Sequence, residues 1–471
     1  MLYVSTRGEA PELSFEDALL AGLARDGGLY VPKAWPSVPP ATIAGLAGQP
    51  FPEVAAGLLA LFAADAIPRP ELVAMARDAY ARFGHPAVTP LVQLDRNLWA
   101  LELFHGPTLA FKDVAMQLLA RLMDRVLAAR GERVTIVAAT SGDTGGAAIE
   151  AFRGSARVDV VVLFPKGRIS DVQRRMMTTA QEANVHAVAV EGTFDDCQAL
   201  VKAMFNDLAF RDRVGLAAVN SINWGRVVAQ ISYYFVAAAA LGSPHRPMLF
   251  SVPTGNFGDV FAGYAARRMG LPMERLLIAT NENDILHRAW STGLYTLQDV
   301  VPTTSPSMDI QISSNFERFL FEAAGRDAAY VRGKMNGLKQ SRSIDLGDVI
   351  VPYRETFIAE RAGQDAVADC IRRVKAESGY LLDPHSACGV VAASKTMGSS
   401  SRQVPHVVLA TAHPAKFPDT MQAITGERPS LPPRLSELMT APERVTLLPN
   451  DLGAVQRFVA GCAGPRRGAA A

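Results

Sequence analysis

The stretch HGPTLAFKD, His105 to Asp113, sets Lys112 among a glycine, a proline and apolar side chains. A solvated ammonium gains nothing from such company, although a lysine that snorkels outward from the first turn of a helix leaves the same pattern. The chemistry open to a desolvated amine is nucleophilic: without its water it becomes neutral more readily and attacks a carbonyl carbon. Two further stretches have the composition of anion cradles. TSGDTGGAA, Thr140 to Ala148, and PTGNFGDVFAGYAARR, Pro253 to Arg268, each place glycines directly ahead of a helical run. There backbone N–H groups approach an anion closely and the helix start adds partial positive charge. Either loop alone reads equally as an ordinary strand-to-helix turn. Neither carries the GxxxxGK[ST] or GxGxxG spacing of nucleotide sites, so smaller anions fit better, and two loops suggest two of them.

Elements that would position these loops are legible around them. From Val134 short β-branched runs alternate with helical segments: 134–139, 158–164, 185–190, 216–219, 248–252, 276–280 and a later buried run at 404–412. Such alternation predicts βαβ units and a parallel sheet, with ligands beyond the carboxyl ends of the strands. Ser170 and Gln173 form a capping-box pattern at the start of one helix. The first 95 residues, with FEDALLAGLA and ELVAMARDAYARF broken by PKAWPSVPPA, read as a mostly helical leading domain. The expected division is 1–95, a catalytic α/β region over 96–430 with a smaller subdomain at roughly 134–230, and an extension over 431–471 whose end, from Pro465, is frayed.

Composition excludes several alternatives. The chain has 471 residues, 49% of them apolar, enough for a large core and two or three domains. Its 47 basic and 46 acidic residues leave a formal charge of +1, so no overall field draws in nucleic acid or an anionic membrane. Cys197, Cys370, Cys388 and Cys462 lack CxxC spacing, which speaks against a zinc site and a disulfide framework and for a reducing compartment. The amino terminus has acids early and no apolar core, unlike a secretory signal, and no run reaches membrane-spanning length; the cytoplasm is the expected location.

A hidden amine together with phosphate-cradling loops points to pyridoxal phosphate, whose aldehyde condenses with a lysine and whose phosphate needs backbone donors. At this point the chain resembles the threonine synthase family of fold-type-II pyridoxal-phosphate enzymes. The leading YVSTRG and GLARDGGLYVP, then HGPTLAFKD, TSGDTGGAA, NSINWGR, PTGNFGD and TAHPAKF, occur in the family's order over nearly the whole length. The resemblance implies Lys112 as the cofactor lysine, Thr254, Gly255, Asn256, Phe257 and Gly258 as the cofactor-phosphate loop, and Thr411 as a neutral partner of the pyridine nitrogen. It implies Ser141, Gly142 and Thr144 as donors to the substrate carboxylate. Asp143 stands where short-chain relatives carry an asparagine that touches the cofactor's ring hydroxyl; the alternatives for it are a protonated carboxyl or a helix cap. Asn220, Ser221 and Arg226 of NSINWGR match the segment that binds the substrate's own phosphate. Taken alone, Arg226 reads as a solvent-facing arginine of a first helical turn. Lys166 and Arg168 read as a solvated basic turn with a second phosphate contact as the alternative, His105 as structural, and Asp309 in SMDIQISSNFERF has no assignable role.

The reaction the resemblance implies is conversion of O-phospho-L-homoserine and water to L-threonine and phosphate, with Lys112 as the base once it has released the aldehyde. A phospho-lyase on the same scaffold, releasing a 2-oxo acid, is the near alternative; a non-enzymatic anion-binding protein is the remote one.

Overall fold

The structure is a computed structural model that describes residues 1–397 and 404–464, so the expected frayed tail from Pro465 lies outside the described residues. Two sheets organise the chain. The larger has six strands in the order Phe357–Arg361, Met273–Thr280, Met248–Pro253, His406–Ala410, Leu98–Glu102 and Leu91–Asp95. All neighbours are parallel except the last pair. The smaller has five parallel strands in the order Thr446–Pro449, Val185–Glu191, Val158–Pro165, Val134–Ala139 and Leu216–Ala217. Strand Val158–Pro165 is buried at every position, which is why, Asp159 apart, it reads as an apolar run rather than as an alternation.

Several features depart from the sequence reading. The leading segment contains helices Phe51–Ala63 and Arg69–Tyr80, but also a three-stranded antiparallel sheet of Leu2–Ser5, Leu13–Ser14 and Tyr30–Pro32. Strands of two to four residues are too short to show period-two patterning. The run at 216–219 is a strand only over Leu216–Ala217, because the next carbonyl, that of Ala218, accepts from Asn223 Nδ2 at 2.9 Å and turns the chain into a loop. Thr446–Pro449, far along the chain, forms the edge of the smaller sheet, and helix Leu452–Cys462 packs against that sheet.

The YVSTRG and SNFER segments brace each other. Arg7 donates to Glu317 through Nε and Nη2 at 3.0 and 2.9 Å, and Thr6 Oγ1 donates to the same carboxylate at 2.7 Å. Arg318, fully buried, donates to the carbonyls of Tyr30 and Ile222, which ties the leading sheet to the loop that carries Asn220 and Ser221.

Candidate active site

The loops singled out in the sequence lie at the carboxyl ends of strands from both sheets, where an open α/β sheet exposes unpaired backbone donors. Strand Val134–Ala139 leads into Thr140–Thr144, strand Met248–Pro253 into 254–258, and strand His406–Ala410 into Thr411. In neither glycine-rich loop does the residue before the helix cap it with a side chain, although at the first loop Thr140 Oγ1 takes the first-turn amide of Gly145. Helix Asp143–Phe152 begins after Gly142 (φ 136°), and helix Gly258–Arg268 after Phe257 (φ 61°). Uncapped first-turn amides are what an anion needs. A Cβ on Gly255 would come within 2.8 Å of the Ser307 carbonyl oxygen, and one on Gly142 within 2.5 Å of Gln173 Cδ, so both turns require glycine. Thr140 Oγ1 accepts from the amides of Gly142 and Gly145, each at 2.9 Å, and fixes the first turn.

Lys112 opens helix Lys112–Arg130. The segment before it is clamped to the end of a large-sheet strand: the Phe111 amide donates to the Thr411 carbonyl at 2.8 Å, and the His413 amide to the Leu109 carbonyl at 3.0 Å. This pairing brings Lys112 and Thr411 together. The turn is held by Asp113, fully buried, which accepts from Thr108 N at 2.8 Å and Thr108 Oγ1 at 2.7 Å. Lys112 is not a snorkelling side chain, since its side chain is only 12% exposed. Its Nζ donates to Asp143 Oδ2 at 3.2 Å. Burial pushes the amine down from its ordinary value; Asp143 opposes this, while the charges of Lys416 and Arg226 reinforce it.

Asp143 is neither a protonated carboxyl nor a helix cap. It is the first residue of its helix and the centre of an ionic cluster. Its Oδ1 accepts from Lys416 Nζ at 2.7 Å and Gln173 Nε2 at 2.9 Å, and its Oδ2 from Lys112 and from Ser307 Oγ at 3.0 Å. Burial alone would raise its pKa, yet Lys416 and Lys112 outweigh burial and hold the carboxyl well below the usual range. Gln173 departs from the capping-box reading accordingly: Ser170 Oγ accepts from its amide at 3.2 Å, but its side chain accepts from Ser170 Oγ at 3.1 Å and donates to Asp143 instead of reaching the Ser170 amide. Ser307 also donates its amide to His385 Nε2 at 3.2 Å, which leaves the ring proton on Nδ1, facing Asp383 at 2.8 Å.

Arg226 contradicts the solvent-facing reading. It lies in the first turn of helix Trp224–Ala240, which Asn223 caps, and is 3% exposed. No carboxylate among the described residues pairs with it, and its Nε has no hydrogen-bond partner. Burial pushes its guanidinium down to about 10, with Tyr233, Asp113 and Asp259 opposing. Ser221 lies beside the second loop: a Cβ on Gly258 would sit 3.7 Å from its Cβ. Asn220 is exposed, and its carbonyl accepts from the Asn223 amide at 3.1 Å. Ser141 and Thr144 are half-buried at the mouth of the first loop.

The remaining candidates lie apart. His105 Nε2 pairs with Glu102 at 2.7 Å, and Lys166, exposed, pairs with Glu191 at 3.4 Å beside an exposed Arg168. Asp309 gathers Asn281, Asn283 and Thr303 at 2.7 to 3.0 Å, fastening the segment that carries Ser307 against Gly255. Sequence reasoning missed Lys416, Gln173, Ser307 and His385. For Lys416 a signal existed, because HPAKF sets an amine among apolar neighbours just as FKD does.

Comparison with known proteins follows the same outline. Residues 2–80 match the family model for the threonine synthase N terminus, 83–411 that for pyridoxal-phosphate dependent enzymes, and 386–459 that for the threonine synthase C-terminal region. A threonine synthase of Pseudomonas aeruginosa is 51% identical over 98% of both chains. The chain belongs to the threonine synthase family. A solved structure described as pyridoxal-phosphate-bound threonine synthase from Brucella melitensis superposes with a TM-score of 0.95 at 57% identity, covering 99% of this chain and 100% of that one. The yeast threonine synthase structure does so at 0.92 and 38%, covering 98% of each. Among the described residues, no helix is long and apolar enough to cross a membrane.

Proposed function

We propose that the chain is a pyridoxal-phosphate-dependent threonine synthase that converts O-phospho-L-homoserine and water to L-threonine and phosphate, acting in the cytoplasm. The residues fit the cofactor: a buried amine at Lys112, an uncapped helix start behind Gly255 to Gly258, and a strand-end hydroxyl at Thr411. When bound, the cofactor supplies the electron sink that makes protons on the substrate's α and β carbons removable.

The protein's own part is to hold and to move protons. In this reading Thr254, Gly255, Asn256, Phe257 and Gly258 hold the cofactor phosphate and Thr411 meets the ring nitrogen with a neutral group. Asp143, held ionised beside Lys112, would contact the cofactor. Ser141, Gly142 and Thr144 orient the substrate carboxylate at the start of helix Asp143–Phe152, in a turn that Thr140 Oγ1 fixes through the Gly142 and Gly145 amides. Lys112, kept neutral by its depressed basicity, takes protons from the α and β carbons in turn and returns them to the γ and α carbons. Arg226, with Asn220 and Ser221, binds the phosphate that leaves from the γ carbon, and water then adds at the β carbon.

The observation that carries the reading is Arg226: a buried cation without a carboxylate, close enough to Lys112 for the two charges to repel, supports an anionic ligand beside the amine. Incubation of the holoenzyme with O-phospho-L-homoserine tests it. Threonine and phosphate in equal amounts are expected; phosphate with 2-oxobutanoate would instead identify the phospho-lyase.

A further inference from the structure

Lys416 lies on the short turn Pro414–Lys416 beyond strand His406–Ala410, with no exposure to solvent. Its Nζ donates to Asp143 Oδ1 and to the Thr108 carbonyl, each at 2.7 Å. Lys112 reaches the other oxygen of the same carboxylate at 3.2 Å, and its second neighbour is the Phe111 ring, 4.9 Å from Nζ to centroid. Two buried ammonium groups therefore share one carboxylate, and they share it unequally. The group with two short acceptors keeps its proton at least cost, and the group with one long acceptor gives it up.

We propose that Lys416 is a positioning residue for Lys112: it anchors Asp143 and places a second positive charge behind it, so that Lys112 is the amine that turns neutral. The inference rests on Lys112 as the cofactor lysine. Other groups face this cluster. Asp113 lies by the Thr108 turn, Arg226 on helix Trp224–Ala240, Asp259 on helix Gly258–Arg268, and His385 on helix Pro384–Thr396, bridged through Ser307; Gln173 is the neutral contact from helix Asp171–Thr178. None of these makes a direct ion pair with either lysine. Lys416 is thus the cation that shares Lys112's counter-ion, while Arg226 adds to the same repulsion from a distance.

The test is a pH titration of the visible absorption of the lysine-bound cofactor in the holoenzyme, which reads protonation at the Lys112 nitrogen. Lys416→Met leaves Asp143 with its full charge toward that nitrogen and should raise the midpoint by about one pH unit, that is, about tenfold in proton affinity. Lys416→Arg should stay near wild type. Asp143→Asn should move the midpoint the other way, since a lost carboxylate leaves two cations facing each other; a purely packing role would give no opposed shifts. Should Lys416→Met fail to fold, Asp143→Asn/Lys416→Met compared with Asp143→Asn must still show an upward shift. An unchanged midpoint in Lys416→Met, or in the double variant against its parent, overturns the proposal. Failure of the underlying reading looks different: Lys112→Ala would then still show the lysine-bound band.

Discussion

Replacing Arg226 by methionine separates a residue that builds the fold from one that waits for an anion. In the protein without substrate, Arg226 is 3% exposed, has an unpartnered Nε, and burial pushes it down to about 10. That depression corresponds to about 3 kcal/mol favouring loss of the charge. The sign follows directly. A cation whose folded-state pKa is depressed costs stability at every pH below the folded value, and neither state titrates near neutrality, so the cost is constant between about pH 5 and 9. Arg226→Met keeps most of the volume and removes the charge. The variant should therefore be as stable as wild type or more stable, by up to about 3 kcal/mol in urea unfolding. Inorganic phosphate at ten times its dissociation constant should stabilise wild type by about 1.4 kcal/mol and the variant scarcely at all. Losing a charge-assisted, bidentate contact worth about 1.5 to 3 kcal/mol should lower kcat/KM for O-phospho-L-homoserine roughly tenfold to a hundredfold. Arg226→Lys should recover only part, because a point charge does not reproduce the planar fork. Steady-state kinetics beside phosphate-dependent melts decide the matter. Near-wild-type kcat/KM in Arg226→Met, with phosphate stabilisation intact, would refute the assignment.

Lys112→Ala should abolish covalent cofactor attachment, read by borohydride trapping and peptide mapping, and turnover with it. Gly255→Val should weaken cofactor retention far more than a surface change, because its Cβ meets the Ser307 carbonyl oxygen at 2.8 Å; equilibrium dialysis measures it. Asp113 is a buried carboxyl that burial pushes up to about 6 despite its hydrogen bonds from Thr108. Its sign is opposite to that of an ion-paired acid: wild type loses stability as pH rises from about 4 to 6, by an amount on the order of 3 kcal/mol. Asp113→Asn, which keeps an acceptor for the Thr108 amide, should lack that loss, as urea midpoints at about pH 4.5 and 7 would show.

What was legible in the sequence divides along the physics. Strands Val134–Ala139 and Val158–Pro165 of the smaller sheet are buried on both faces, so they read as β-branched runs, and glycine-rich loops stand out because glycine must sit where backbone meets a ligand or a neighbour. Leu98–Glu102 and Phe357–Arg361 lack such runs and became strands by pairing with His406–Ala410 and Met273–Thr280, which are distant in sequence. Lys112 was visible by its company and Asp143 by its loop, but their pairing was not, since Lys416, Gln173 and Ser307 converge on Asp143 from separate elements. Arg226 illustrates the limit: its position in a first helical turn suited a solvated residue, and only the tertiary packing around helix Trp224–Ala240 buries it.

Turnover of O-phospho-L-homoserine in ¹⁸O-enriched water tests the central claim most directly, because it follows the water rather than the phosphate alone. Elimination from the γ carbon keeps the bridging oxygen on phosphate, and addition at the β carbon draws its oxygen from solvent. L-Threonine with one solvent oxygen in its hydroxyl and phosphate with none are expected, formed in equal amounts and only when Lys112 is intact. Solvent oxygen in the phosphate, with homoserine as the co-product, or 2-oxobutanoate in place of threonine, would contradict it.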